Sequence, residues 1–216
     1  MGDVEENSPK KRIIAYIDGF NLYHAIHDLN KPELKWVNLW SLMDAFVQKS
    51  SEELVGVYYF TAHATWHSQR HRRHIQYINA QNANGVTTVL GQFKRKDRRC
   101  KNCGASWIAH EEKESDVNLA ISLVIDAHKN NYDKALVVTS DSDLSPPIRT
   151  VCDNFPEKAV DIVVPPSRFG NVRELRAAAS SARKIKQRTL SNNLLPEEVL
   201  DDSGNVISIR PASYAP

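Results

Sequence analysis

Apolar residues occur along this chain in short blocks, separated by polar stretches of helical length. Five blocks stand out: Arg12-Ile-Ile-Ala-Tyr-Ile-Asp18, Leu54-Val-Gly-Val-Tyr-Tyr-Phe60, Val86-Thr-Thr-Val-Leu90, Ala135-Leu-Val-Val-Thr139 and Ala159-Val-Asp-Ile-Val-Val164. Nearly continuous apolar runs of this length suit strands covered on both faces, as in a parallel sheet. Between them the pattern turns helical. Residues 21–28 give a short helix, Asn38 caps another through about Gln48, and residues 66–83 form a long polar helix containing Ile75 and Ile78. Val117, Ala120, Ile121, Val124 and Ile125 recur at helical spacing within 116–129. Asp143 caps a further helix to about Cys152, and Arg173–Lys186 reads as a last, basic helix. Strands alternating with helices predict a three-layer α/β/α domain around a central parallel sheet of about five strands.

The same pattern divides the chain. Residues 1–11 are polar and charged and read as a disordered lead-in, 12–190 form the folded domain, and 191–216 form a C-terminal extension that drapes over it or is partly disordered. With 216 residues, 41% hydrophobic and 25% charged, the chain suits one α/β domain with extensions and is neither wholly disordered nor collagen-like. No apolar run approaches the roughly 18 residues of a membrane span. Residues 1–12 lack the apolar stretch of a secretory signal. Three cysteines, Cys100, Cys103 and Cys152, cannot make a disulfide framework and fit a reducing compartment, the cytoplasm. The net charge of +2 does not by itself announce a nucleic-acid binder, so the distribution of charge decides.

Acidic residues fall where the strands end. Asp18 closes the first strand in Asp18-Gly-Phe-Asn21, Asp116 opens a helix in Lys113-Glu-Ser-Asp-Val117, and Asp141 and Asp143 follow the fourth strand in Thr139-Ser-Asp-Ser-Asp-Leu144. Each has a structural explanation alone: a turn at Asp18-Gly19, a cap at Ser115 or Asp116, a cap at Asp143 before Pro146 and Pro147. Together they mean more, because ligands of open α/β sheets gather at the carboxyl ends of the strands. Carboxylates converging there repel one another unless a cation or proton neutralises them. Oxygen-only donors suit Mg²⁺ or Mn²⁺, which lower the pKa of bound water and stabilise charge on a phosphoryl oxygen. Asn21 stands one helical turn after Asp18 and can face the same site.

These three motifs, Asp18-Gly-Phe-Asn-Leu-Tyr23, Lys113-Glu-Ser-Asp-Val-Asn118 and Thr139-Ser-Asp-Ser-Asp143, resemble the NYN domain family of PIN-like nucleases, and within it the LabA-like (DUF88) branch. The likeness runs from about Arg12 to Val164. It implies a PIN-like parallel sheet and a ribonuclease dependent on Mg²⁺ or Mn²⁺, with an endonucleolytic mode. The family's acidic positions carry over onto Asp18, Asp116, Asp141 and Asp143, with Asn21 as polar support. Two departures stand out: Thr139-Ser140 precedes the last acids where the family often has Ser-Gly, and Glu114-Ser115 stands before Asp116 where Lys-Gly or Lys-Lys is common. Neither removes a carboxylate. The alternative is a non-catalytic RNA-binding or regulatory scaffold that keeps the fold; the intact acidic set argues against it.

Charge distribution adds an RNA track. Lys94, Arg95, Lys96, Arg98, Arg99 and Lys101 crowd a segment after the third strand, and Arg70 and Arg73 lie in the helix before it. A basic run is usually a solvated face; beside an acidic metal centre it reads as a phosphate track for single-stranded RNA or loops. Trp66, Trp107 and Phe169 are candidate stacking platforms, each equally suited to packing. A third cluster runs from Arg173 to Arg188. Cys100-Lys-Asn-Cys103 is half of a zinc motif, with His110 as a third candidate ligand and His63, His67 or Cys152 as distant ones, or with a second copy of the chain completing the site; the alternative is a plain pair of reduced thiols. A homodimer or a regulatory protein is the remaining partner expectation. No P-loop or nucleophile-elbow motif occurs. Phe20, where a haloacid-dehalogenase phosphatase needs its second Asp, argues against that class.

Overall fold

The computed structural model describes residues 9–215, so the proposed lead-in lies outside the described residues as far as Ser8, and Lys11 is already in a strand. The frame is β1 (Lys11–Asp18), β2 (Glu52–Thr61) and β3 (Thr87–Leu90) on one side, and β6 (Lys134–Val138), β7 (Ala159–Val164) and β8 (Ser181–Lys184) on the other. They form one six-stranded sheet in the order β3-β2-β1-β6-β7-β8, with every neighbouring pair parallel. Strand order therefore reverses between β1 and β6. Ile13, Ala15 and Ile17 enter one apolar core and Ile14 and Tyr16 the other, as alternation along a doubly covered strand requires.

The first core is covered by α1 (Gly19–His27), α2 (Leu39–Asp44) and α3 (Ser68–Ala83). The second is covered by α4 (Ser115–His128), α5 (Ser145–Asn154) and α6 (Arg173–Ala178). Asn38 caps α2 as expected, its side chain accepting from the Ser41 amide at 3.0 Å. The sheet has six strands rather than five because the segment read as one basic helix breaks after Ala178. Ser181–Lys184 then pairs with β7 as a short, charged edge strand.

The basic run after β3 is extended. It forms β4 (Gln92–Arg99), which pairs antiparallel with β5 (Ser106–Lys113) in a separate hairpin. Beyond α7 (Gln187–Ser191), β9 (Glu198–Leu200) and β10 (Val206–Ile209) pair and pack on α3. There Ser208 Oγ donates to the Gln76 carbonyl at 2.7 Å, and Val199 joins Trp36, Ala80 and Leu195 in a small third core. The extension thus lies over the domain. Among the described residues no helix is long and apolar enough to cross a membrane.

Candidate active site at the strand-order reversal

Asp18 leaves the C-terminal end of β1 on the Ile14/Tyr16 face, the face α4 covers. It caps α1: Oδ1 accepts from the Asn21 amide at 2.9 Å, and Oδ2 accepts from Thr139 Oγ1 at 3.1 Å. Next to it, Asn21 Oδ1 accepts from the Ser140 amide at 3.0 Å and from Ser140 Oγ at 2.8 Å. These bonds clamp the ends of β1 and β6 together where strand order reverses. Gly19 permits the close approach: a Cβ there would stand 2.5 Å from the Phe60 carbonyl oxygen and 2.6 Å from the Tyr59 ring.

After β6, the Asp141 amide donates to Thr139 Oγ1, and Asp141 Oδ1 in turn accepts from the Asp143 amide, both at 3.0 Å. On the third side, Glu114 turns the chain into α4 with φ +81°, a left-handed conformation unusual outside glycine. The turn sits against Gly91, where a Cβ would meet the Lys113 carbonyl at 2.7 Å and Ser115 Oγ at 2.8 Å. Glu112 Oε1 accepts from the Ser115 amide at 3.0 Å, and Asp116 follows in the first turn of the helix.

The result is a hollow of about 440 Å³ whose lining includes Asp18, Asn21, Glu112, Asp116, Ser140 and Asp141. Asp18 is 5% exposed. Its carboxyl is pushed up to about 7, chiefly by burial and further by Asp116 and Asp141, against the lowering bonds from Asn21 and Thr139. Burial also raises Asp116, with Glu112, Asp141 and Asp143 adding to the rise. Among the described residues, none of these carboxylates forms a salt bridge within 4 Å. Arg168, at the hollow's wall, pairs instead with Asp28. The negative charge is therefore gathered and left uncompensated by the protein's own cations.

Among the described residues no three His, Cys, Asp or Glu side chains are close enough to cage a metal. An all-oxygen donor set around an open hollow still fits a hydrated Mg²⁺ or Mn²⁺, which keeps several waters and takes one or two carboxylates directly. Asp143 is exposed and off the lining; it reaches the hollow through its charge on Asp116. Glu112 is the acid that the sequence reading missed. The adjacent Glu114 is exposed and hydrogen-bonded to Gln92.

A second cavity, of about 250 Å³, opens beside the first and shares Phe20 and His24 with it. Aromatic side chains dominate its walls, and Arg70, Arg73 and Lys35 reach it. The hairpin cations divide differently. Strand alternation puts Arg95 and Arg99 on the face of Phe93, which meets Phe20 and Trp66 edge to face. Lys94, Lys96 and Arg98 take the opposite face, where Glu111 pairs with Lys96, Arg98 and Lys113. Trp66 stacks on His110 with centroids 3.8 Å apart, Trp107 is half exposed, and Phe169 packs beneath Arg176.

The zinc expectation finds no ligand set. Cys100 and Cys103 stand at the hairpin turn, and His110 is held five pairs down the ladder, opposite Arg95, against Trp66. All three cysteines are free. Cys152 lies partly buried in α5, packed against the second core.

A parallel α/β sheet with acids at its strand-order reversal is the architecture of the PIN-like nucleases. The NYN domain model matches residues 12–192, and the chain belongs to that family. It is similar to 6-hydroxy-3-succinoylpyridine 3-monooxygenase HspA of Pseudomonas putida (strain DSM 28022 / S16), 25% identical over 246 residues that span 96% of this chain and 77% of that protein. A crystal structure of VPA0982, a protein of unknown function from Vibrio parahaemolyticus RIMD 2210633, matches with a TM-score of 0.52 at 19% identity. It covers 86% of this chain and 97% of that one, and the likeness concerns the fold alone.

Proposed function

We propose that this chain is a metal-dependent ribonuclease of the LabA-like (DUF88) branch, hydrolysing RNA phosphodiester bonds with Asp18, Asp116 and Asp141 as ligands for Mg²⁺ or Mn²⁺. The observation that carries the reading is Asp18: a buried carboxyl, raised to about 7, in a hollow with three other acids and no salt bridge to any of them. Such a cluster is stable when a dication replaces the missing counter-charge. When bound, the metal supplies an activated water and stabilises charge on the phosphoryl oxygen. Asn21 and Thr139 hold Asp18 in one orientation, Glu112 and Asp143 raise the negative field around Asp116, and Arg95, Arg99, Arg70 and Arg73 attract the RNA backbone.

RNA is the proposed partner, as single strands or loops, with endonucleolytic cuts that leave 5′-phosphate and 3′-hydroxyl ends. The free cysteines agree with a reducing, cytoplasmic setting. Val117, Ile121 and Ile125, each between 44% and 57% exposed at four-residue spacing on α4, offer a face for a second copy. The test is incubation of linear and circular RNA with Mg²⁺, Mn²⁺ or EDTA, beside Asp18→Asn and Asp141→Asn. Cleavage that is metal-dependent in the wild type and lost in both folded variants supports the reading; equal cleavage by Asp141→Asn sinks it.

The aromatic cavity favours a second reading. The curated relative is named for action on a hydroxypyridine bearing a succinoyl group, and a small heteroaromatic acid would suit that cavity here. Protein that leaves RNA intact under every metal condition yet binds such acids would shift the assignment to this class.

A further inference from the structure

The second cavity is built for a ligand that the acidic hollow repels. Phe20, Tyr23, Tyr59, Tyr77 and Phe93 supply aromatic walls, with Trp66 at the mouth, 37% exposed. Flat apolar walls favour a flat ring over an alkyl chain, because stacking adds to burial. A volume of about 250 Å³ lies just below the ~300 Å³ at which drug-sized pockets begin, so it holds one ring system rather than a length of strand.

The charged groups are cationic. Arg70, Arg73 and Lys35 reach the lining, and no carboxylate does. Arg73 Nε is buried and has no hydrogen-bond partner among the described residues. Lys35 sits 5.3 Å from the Tyr23 ring centroid and 5.9 Å from that of Tyr214, which closes the cavity from the C-terminal extension. Burial lowers the Lys35 ammonium and the charge of Arg73 lowers it further; Lys35 Nζ lies 3.0 Å from His27 Nδ1, and an anion in the cavity would relieve the repulsion between the two cations. His74 and Thr61, joined at 3.1 Å between Nε2 and Oγ1, place neutral hydrogen-bonding groups on the same lining.

We propose that this cavity binds one planar heteroaromatic ring carrying an anionic substituent, with the ring between the aromatic walls and the anion between Arg73 and Lys35. Two sources present that chemistry. One is a nucleotide of the RNA, whose backbone would pass from here into the acidic hollow over Phe20 and His24. The other is a free heteroaromatic acid. The proposal deepens the ribonuclease reading in the first case and stands without it in the second, because the cavity shares no carboxylate with the hollow.

The test is calorimetric titration of the full chain in EDTA, in the Asp141→Asn background so that any cleavage is silenced. Adenosine 5′-monophosphate and nicotinate are compared with adenosine, nicotinamide and ribose 5-phosphate. At least one ring-bearing anion is expected to bind at least about tenfold more tightly than its uncharged parent, and ribose 5-phosphate is expected not to bind. Arg73→Gln should remove most of that preference for the anion, and Lys35→Gln provides the same reading should Arg73→Gln melt early. Preference for the nucleotide names RNA as the source; preference for nicotinate names a small acid. Silence from both anions, or affinity unchanged in both cation variants, overturns the proposal. Restoring Asp141 leaves the affinity unchanged if the ring sits in this cavity; a change of tenfold would move the site into the acidic hollow and overturn it. Because no step of this test requires cleavage, its failure and that of the nuclease reading are separate results.

Discussion

The two adjoining hollows are near opposites in construction. The acidic one, about 440 Å³, is lined by the ends of β1 and β6 and the start of α4, and its side chains are held by caps and strand-end hydrogen bonds. The aromatic one, about 250 Å³, is assembled from α1, the β2–α3 connection, α3, the hairpin base and Tyr214 near the C-terminus. Burial acts on both and disfavours charge in each, yet with opposite consequences. It pushes Asp18 up to about 7, whereas it pushes His74 down to about 4, with His63 and His71 adding to the fall. Proximity in the fold therefore does not make these a single site. One gathers negative charge that asks for a cation, and the other gathers cations and rings that ask for an aromatic anion.

The sharpest break between them is expected from the carboxylates. Asp18→Asn and Asp141→Asn should each lower metal-dependent RNA cleavage by more than the roughly 10–100-fold that an outer-shell partner costs. Single-turnover assays on folded protein check this. Mn²⁺ should raise the melting temperature of the wild type, and the same substitutions should remove that rise.

A second separation lies in pH. Between about pH 4 and 6.5 folded Asp18 keeps a proton that the unfolded chain has lost, so this group's contribution to stability falls as pH rises. In the same window folded His74 is neutral while the unfolded chain binds its proton, so this contribution is lost as pH falls. The two slopes offset each other in the wild type. Asp18→Asn should uncover a stability that rises with pH, and His74→Gln one that falls, each by up to roughly 3 kcal/mol across the window. Urea unfolding at pH 4.5, 5.5 and 6.5 measures it. Parallel profiles in both variants would show that burial is not what separates the hollows.

Gly19 belongs to both regions' foundations. Gly19→Ala should destabilise the fold by about 1–3 kcal/mol, since its Cβ meets backbone oxygen and a buried ring that cannot move aside freely. Thermal or urea unfolding reads this directly, and metal-dependent and ring-binding signals should weaken together.

The smallest effect concerns the hairpin. Arg95→Ala with Arg99→Ala should weaken RNA binding and flatten its salt dependence more than Lys96→Ala with Arg98→Ala, because Glu111 pairs with both members of the second set, whereas in the first only Arg95 has an acidic partner among the described residues, the largely exposed Asp97 at 3.5 Å. Affinity measured at two or three salt concentrations distinguishes the pairs. Equal slopes would mean that both faces of the hairpin contact RNA.

Much of the acidic hollow was legible because its parts are local. Asp18 ends an apolar strand block, Asp141 follows another closely, and Asp116 opens a visible helix. β7 lies where its apolar run put it, at Ala159–Val164. Other parts were hidden because long-range pairing decides them. Glu112 stands among several charges in Glu111-Glu-Lys-Glu114 with no motif to single it out, and only the pairing of β5 with β4 and the turn at Glu114 aim it into the hollow. That Lys94–Arg99 form a strand was not visible, because a charged strand exposed on both faces shows no apolar alternation. Ser181–Lys184 was taken as helix because an edge strand of four polar residues is specified by β7 beside it rather than by its own side chains.

The order of apolar blocks and the acids that end them determined an α/β sheet with its chemistry at the strand ends, because period and capping are properties of neighbouring residues. Which cations face which hollow, and that Tyr214 closes a ring-lined cavity against Arg73 and Lys35, were decided only by the folded chain. Those contacts join residues far apart in sequence, and no local preference records them.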